Sequence, residues 1–221
     1  SNMGQSDILE VFYIYNQIDA GSEESARILI KFPVDEIVSD RGSENIPLEG
    51  DVSFILKLYN AEHGSTLPTN FSLDVTPLSK DWEEGHGIDM EEYSDAAANG
   101  EDPENQFGGT GASWNVAGDE SDWDTPGGDF VTPAPYQQDF DSGTEDISID
   151  ITDLVEEWLS EDEGEGGDAR DNYGLMIKFQ ALNEGGEERS YYTKRFFARG
   201  TQFFYKRPMI EAQWDSSQVD N

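Results

Sequence analysis

Cysteine is the first residue type that the sequence lacks. Its absence excludes disulfides and thiolate metal sites, but it leaves the compartment open, since large secreted β domains also do without disulfides. No apolar run approaches the ~20 residues that a transmembrane helix requires, so no membrane association is expected. The opening segment SNMGQSDILE has neither the basic region nor the apolar core of a signal peptide, and a processed N-terminus stays an open alternative.

Positively charged residues are also scarce. The chain has 13 Lys+Arg against 48 Asp+Glu, which gives a formal net charge of -35, and residues 81–169 contain no lysine or arginine. Nucleic-acid binding is therefore not expected, because affinity for a phosphate backbone needs many cations. The composition favours a solvated acidic surface that keeps the protein soluble in saline surroundings.

A calcium site is the more specific interpretation of this acidity, since Ca²⁺ prefers carboxylate oxygens as ligands. The candidate ligands are four aspartates in one short segment, namely Asp119, Asp122, Asp124 and Asp129. The glycine and the terminal glutamate of an EF-hand do not follow them, so the sequence predicts at most an irregular calcium site. No other cofactor is expected.

Short runs of β-branched and aromatic residues, bounded by Gly, Pro, Asn or Ser, recur along the chain and predict strands. In the run 25–34, Ile28, Ile30 and Phe32 are expected to share one face. Such runs at this spacing predict an all-β fold, an antiparallel β-sandwich or jelly roll, with one domain over 1–214 and a tail over 215–221. The predicted strands are 7–15, 25–34, 51–60, 71–79, 145–152, 172–180, 189–198 and 207–214.

Two short helices are expected between the strands. The segment 150–160 places Leu154, Val155, Trp158 and Leu159 on one face, and Asp150 or Thr152 is its expected cap. A weaker helix is expected over 89–98. Residues 81–143 form a long, acidic, loop-rich insertion, whose three tryptophans argue against plain disorder.

One segment concentrates the scarce cations. Residues 191–208, YYTKRFFARGTQFFYKRP, hold five of the 13 Lys+Arg and seven aromatic rings. One interpretation is a pair of adjacent closing strands, with Ile210, Ala212 and Trp214 facing the core. The other is a basic patch that docks the acidic surface of another subunit, since oppositely charged faces favour association. The members of that patch would be Lys194, Arg195, Arg199, Lys206 and Arg207.

Motifs of catalysis are absent. The sequence has no Gly-x-Ser-x-Gly elbow, no Walker loop and no His-Glu-x-x-His motif. Close pairs of carboxylates arise by chance among 48 acidic residues, so they carry no information about glycosidase chemistry. We therefore expect a protein without enzyme activity.

Five motifs in chain order resemble the DNRLRE-type domain, a family of β-sandwiches related to disaggregatase-type carbohydrate-binding modules. The motifs are NMGQSDILEV, SARILIKF, the tryptophan loop made of DWEEG and ASWNVAGDESDWDTPGGDF, ISIDITDLVEEWLS with NYGLMIK, and KRFFARGTQFFYKRPMIEAQW. The chain departs from the family by starting almost at the first motif. The strand that usually precedes it would be missing, cleaved off or donated by a neighbouring subunit.

The resemblance implies a β-sandwich and a binding function. The acidity of the chain and its extended closing segment also resemble, in the overall style of the sequence, structural proteins of marine bacteriophages. The expected function is a non-enzymatic virion protein, a capsid-decorating, neck or tail component, whose partners are other virion proteins or its own copies. The alternative is an extracellular carbohydrate-binding or adhesive module for cell-surface polysaccharide. In that module Trp114 and Trp123 would stack on sugars, or they would instead plug the ends of the sandwich.

Overall fold

The computed structural model describes residues 2–16, 21–48, 50–62, 68–87, 111–160, 170–180 and 190–215. Within these ranges the chain is almost entirely β-structure, with two short α-helices. The strands are β1 (Ile8–Tyr15), β2 (Glu23–Ala26), β3 (Ile28–Ile30), β4 (Ser53–Leu58), β5 (Phe71–Pro77), β6 (Val116–Gly118), β7 (Ser121–Asp122), β8 (Tyr136–Phe140), β9 (Ile147–Asp150), β10 (Leu175–Phe179), β11 (Ser190–Phe197) and β12 (Met209–Gln213). The helices are α1 (Asp35–Gly42) and α2 (Thr152–Leu159).

All the strand pairings are antiparallel, which confirms the predicted all-β sandwich. The strands form a four-stranded sheet in the order β3-β10-β5-β8 and two three-stranded sheets in the orders β11-β1-β2 and β12-β4-β9. Strands β6 and β7 form a separate hairpin. A bridge between Asn60 and Phe196 connects the end of β4 to β11, so the two three-stranded sheets are joined at that point.

The main core lies between the sheets and follows from the two-residue period of the strands. On β4, Phe54, Leu56 and Leu58 are fully buried, while the residues between them are partly exposed. Rings from three strands meet in this core, where Phe71 stacks on Phe140 at 4.9 Å and packs against Phe179 at 5.3 Å. A smaller apolar cluster, which includes Trp123 and Met176, lies beside it.

The predicted strand 25–34 is split at Arg27 into two strands that belong to different sheets. Strand β2 pairs with β1, whereas β3 pairs with β10. The predicted common face is confirmed, because Ile28 is buried in the main core and Ile30 and Phe32 pack against it. Arg27 lies between the strands, and its Nη1 donates a hydrogen bond to the Gly127 carbonyl at 2.8 Å.

Helix α2 confirms the predicted amphipathic helix, with Leu154, Val155 and Trp158 buried and Leu159 packed against the main core. The N-cap is Ile151, which provides no side-chain cap, so neither Asp150 nor Thr152 is the N-cap residue. The Asp150 Oδ1 nevertheless accepts a hydrogen bond from the Thr152 N–H at 3.0 Å. Helix α1 was not predicted by the sequence pattern and buries no residue of its own. The weaker helix expected over 89–98 lies outside the described residues. Among the residues that the structure describes, no helix is long and apolar enough to cross a membrane.

The closing segment differs from the expected pair of adjacent strands. Strand β11 pairs with β1 and strand β12 pairs with β4, so the two lie in different sheets. Ile210 and Ala212 pack against the core, but Trp214 is 43% exposed and does not face it. The insertion 81–143 is also less irregular than expected, because β8 lies within it and pairs with β5 along five residues.

Candidate functional site

Strand β1 is apolar on both faces, although the outer face of an antiparallel sheet is normally polar. Alternate residues from Leu9 to Tyr15 pack into the core. The other set points away from the core and lines a cleft of about 460 Å³. The apolar residues of β1 in this cleft are Ile8, Phe12 and Ile14. We call this surface of the β11-β1-β2 sheet the outer face.

Strand β11 adds a second row to the outer face. Tyr191, Thr193 and Arg195 line the cleft opposite Ile14, Phe12 and Glu10 of β1. By the alternation of the strand, Phe197 extends this row opposite Ile8.

A polar pair lies at the centre of the outer face. The Glu10 Oε1 atom accepts hydrogen bonds from the Thr193 hydroxyl at 3.0 Å and from the Arg195 Nε at 2.9 Å. The side chain of Glu10 is 14% exposed and that of Arg195 is 40% exposed. The carboxylate is thus satisfied within the chain, and the face has no buried unpaired charge at its centre.

An aromatic loop, residues 199–207, folds over one end of the outer face. Phe203, Phe204 and Tyr205 are 51%, 66% and 85% exposed, and a short 3₁₀ helix runs from Phe204 to Lys206. The edge of Phe203 packs against Phe197 at 5.5 Å between ring centroids, and the Lys206 Nζ lies 4.9 Å from the centroid of Phe197. These contacts attach the loop to the outer face.

The opposite end of the outer face is acidic. Glu24 on β2 lies beside Ile14 of β1, and Glu23 lies beside Tyr15. Both glutamates are exposed, and Glu24 lines the cleft. The outer face therefore has an acidic end at Glu24, an apolar and ion-paired middle, and a cationic end at Lys206.

The structure divides the predicted basic patch. Arg195 lies in the cleft, and Arg199 forms an exposed ion pair with Glu84 at 2.6 Å. Lys206 and Arg207 belong to the aromatic loop, where the Arg207 guanidinium lies 5.4 Å from the Phe204 centroid. Lys194 is fully buried, so its predicted place in a surface patch is wrong.

The environment of Lys194 explains why a lysine is tolerated inside the sandwich. Its Nζ donates to the Asn60 Oδ1 at 2.7 Å, the Gly143 carbonyl at 2.9 Å and the Glu145 carbonyl at 2.7 Å, so all three N–H groups have acceptors. Burial lowers the pKa of Lys194 from 10.5 to about 8, although the charges of Glu145 and Asp146 act in the opposite direction.

The tryptophans do not form the expected glycan platform. Trp123 is 6% exposed, packs in the smaller apolar cluster and donates its Nε1–H to the Ser113 carbonyl at 2.9 Å. Trp114 is partly buried, and the Arg27 guanidinium lies over its ring at 4.7 Å from the centroid. Their environments agree with the alternative that they fill space at the sandwich rather than bind sugar.

The four candidate calcium ligands do not converge. Asp129 accepts hydrogen bonds from the backbone N–H groups of Asp124 and Thr125, and Asp119 accepts one from Gly111. The carboxylate of Asp124 pairs with Lys80, and Asp122 is exposed. Over the ranges that the structure describes, no group of three or more His, Asp or Glu side chains is placed to hold a metal ion. The structure does not bring the four aspartates together, and calcium binding stays a prediction.

Comparison with known proteins adds no assignment. No family model matches the chain, and neither a curated protein nor a solved structure matches it significantly. The resemblance to the DNRLRE-type domain therefore stays a prediction.

Sequence reasoning missed the residues of the outer face on β1 and β2, especially Glu10 and Glu24. The signal that could have found this face is the run ILEVFYIY. It is apolar at both odd and even positions, whereas a strand with one solvated face alternates apolar and polar residues.

Proposed function

We propose that the protein is a non-enzymatic structural component of a bacteriophage particle, a capsid-decorating, neck or tail protein, that assembles through its outer face and aromatic loop. The observation that carries this proposal is the run of three consecutive exposed rings, Phe203, Phe204 and Tyr205, flanked by cations. Aromatic residues and arginine are enriched where proteins bind one another, and they supply most of the binding energy there.

The charge of the loop supports a protein partner. The chain carries a formal net charge of -35, yet Arg199, Lys206 and Arg207 lie within the nine residues of this loop. Complementary charges steer association and fix its orientation. The loop is therefore suited to an acidic protein surface, on another virion protein or on another copy of the chain.

The test is incorporation into particles. Particles that carry the wild-type chain are compared with particles that carry Phe204→Ser and Tyr205→Ser together, and the copies of the chain per particle are counted by quantitative mass spectrometry. We expect a fixed wild-type copy number and a loss of more than about tenfold in the double variant, since each ring is a candidate for ≥2 kcal/mol of binding energy.

The matched control is Leu48→Ser. Leu48 is 71% exposed and lies outside the loop, so its removal should leave the copy number unchanged. All variants should unfold within about 0.5 kcal/mol of the wild type, because the substituted side chains are exposed. Absence of the wild-type chain from purified particles, or full incorporation of the double variant, would overturn the proposal.

Binding of a cell-surface polysaccharide is a second candidate, which would place the protein at a cell surface, and the cleft of the outer face favours it. Tyr191 is 47% exposed beside the hydrogen-bonding trio of Glu10, Thr193 and Arg195. A flat ring with adjacent polar groups suits a sugar. A glycan-array screen tests it, with Tyr191→Ala expected to abolish binding and Tyr205→Ala to preserve it. Silence of the wild type across marine polysaccharides would remove this candidate.

A further inference from the structure

We infer that the outer face binds the outer face of a second copy of this chain in a two-fold symmetric dimer. The inference rests on the proposed function and names the partner of the same surface. Three properties of the face carry it: the distribution of charge between its ends, the apolar middle and the internal pairing of its central charges.

The two ends of the outer face are complementary to each other. Lys206 lies over Phe197, which is opposite Ile8 at one end of β1, whereas Glu24 lies beside Ile14 near the other end. Six residues of strand separate Ile8 from Ile14, which corresponds to about 20 Å. A two-fold axis that lies in the interface, parallel to both faces and perpendicular to the line from Lys206 to Glu24, places Lys206 of each copy opposite Glu24 of the other. The same surface thus meets itself with opposite charges in register, as an isologous contact requires.

The middle of the face is suited to burial. Ile8 and Ile14 are partly exposed and provide apolar surface, whereas Phe12 is only 7% exposed within one copy and adds little to it. Two sheets that pack face to face are about 10 Å apart, close enough for such side chains to interdigitate. Glu10 and Arg195 already pair within one copy at 2.9 Å. A second copy can therefore cover them without leaving an unpaired charge, which would otherwise cost several kcal/mol.

The effect of salt separates this dimer from a contact based on charge alone. Two chains of net charge -35 repel each other over long distances, and salt screens that repulsion. The apolar middle does not weaken with salt. We therefore expect the dimer to strengthen as the salt concentration rises from about 0.02 M to about 0.3 M, whereas a contact held only by the cationic loop would loosen.

Charge reversal tests the register. Light scattering at about 0.15 M salt measures the dimerisation constant of the wild type, Glu24→Lys, Lys206→Glu and the double reversal. Each single variant should weaken the dimer by at least about tenfold, because two like-charge contacts replace two ion pairs. The double reversal should restore the wild-type constant.

The single reversals also separate a specific contact from a general effect of net charge. Glu24→Lys makes the chain less acidic, so weaker general repulsion alone would strengthen association. The matched control, Glu36→Lys, makes the same charge change at an exposed position on α1 and should not weaken the dimer. If Glu24→Lys and Glu36→Lys have equal effects, the register is wrong.

Cross-linking gives a second measurement, and no native thiol interferes with it because the chain contains no cysteine. In a chain with both Glu24→Cys and Lys206→Cys, oxidation should produce a covalent dimer. Within one copy the two positions are about 20 Å apart, too far for a disulfide, which requires Cα atoms within about 7 Å. Either substitution alone should give no cross-linked dimer.

A wild-type chain that stays monomeric at every salt and protein concentration would overturn the dimer. That result is distinguishable from failure of the proposed function, which is tested separately by incorporation into particles. A monomer in solution that is nevertheless incorporated through the aromatic loop would overturn the dimer and leave the proposed function intact.

Discussion

Lys194 provides a test of how burial inside the sandwich changes the pKa of a lysine. Its side chain is fully buried, and its Nζ is surrounded by carbonyl and amide oxygens rather than by a paired carboxylate. The rings of Phe140 and Phe196 lie 5.0 Å from the Nζ. Burial disfavours the charged form, so the pKa of Lys194 falls from 10.5 to about 8 in the folded protein.

The direction in which the free energy of unfolding changes with pH follows from the linkage between proton binding and folding. Between about pH 8 and about pH 10.5 the folded protein has lost the Lys194 proton while the unfolded chain still holds it, so the unfolded state binds more protons. The free energy of unfolding then rises with pH. For these two pKa values, the rise from about pH 7 to about pH 9.5 amounts to about 2 kcal/mol, and this contribution is lost again as the pH falls through about 8.

The assay compares chemical unfolding of the wild type with that of Lys194→Met over this pH range. The other titrating groups of the chain contribute equally to both proteins and cancel in the difference. We expect the wild type to gain about 2 kcal/mol relative to the variant between about pH 7 and about pH 9.5. Parallel stability curves would show that Lys194 keeps an ordinary pKa, and the argument from burial would be refuted.

Three further predictions concern other parts of the sandwich. Glu156→Gln, which breaks the ion pair of α2 with Arg41 of α1, should lower the free energy of unfolding by about 3 kcal/mol, because both side chains are largely buried. The same change at Glu157, whose ion pair is more exposed, should cost less than about 1 kcal/mol, and equal losses would contradict the argument. Gly87→Ala should destabilise by about 2 kcal/mol or more in urea unfolding, since its Cβ would lie 1.6 Å from the Asn2 carbonyl oxygen, whereas Gly42→Ala meets nothing and should be neutral. Addition of a chelator should leave the melting temperature unchanged within about 1 °C, because the four acidic candidate ligands do not converge, and a clear drop would support the calcium hypothesis.

The strands could be predicted because their burial follows the residue pattern. Strand β4 illustrates this, since its alternating residues are buried and partly exposed as the sequence suggests. Strand β8 could not be predicted, because YQQDF is polar and is a strand only through its pairing with β5. Helix α1 was missed for a similar reason. None of its residues is fully buried, and the Arg41–Glu156 pair that connects it to α2 spans 115 residues of sequence.

The candidate site could be predicted only in part. The segment 191–208 does contain the aromatic loop, but the pattern of cations did not separate buried Lys194 from exposed Lys206. Burial of a lysine depends on acceptors from distant segments, and here they come from Asn60 and the turn at Gly143–Glu145. No local pattern contains that information. The acidic end of the outer face could not be predicted for the same reason. Glu24 is one of many acidic residues in the sequence, and only the pairing of β2 with β1 places it on this face.

On one side of the sandwich, a glutamine side chain connects the edges of two sheets. Strands β8 and β9 lie at the edges of their sheets, and Gln138 connects them. Its amide donates to the Asp146 carbonyl at 2.7 Å and accepts from the Ser148 N–H at 3.0 Å, so it takes the place of a neighbouring backbone. An uncovered sheet edge is a template for uncontrolled strand addition and aggregation. Gln138 occupies two backbone groups at the edge of β9, those of Asp146 and Ser148, so a strand from another chain cannot pair there without first displacing it.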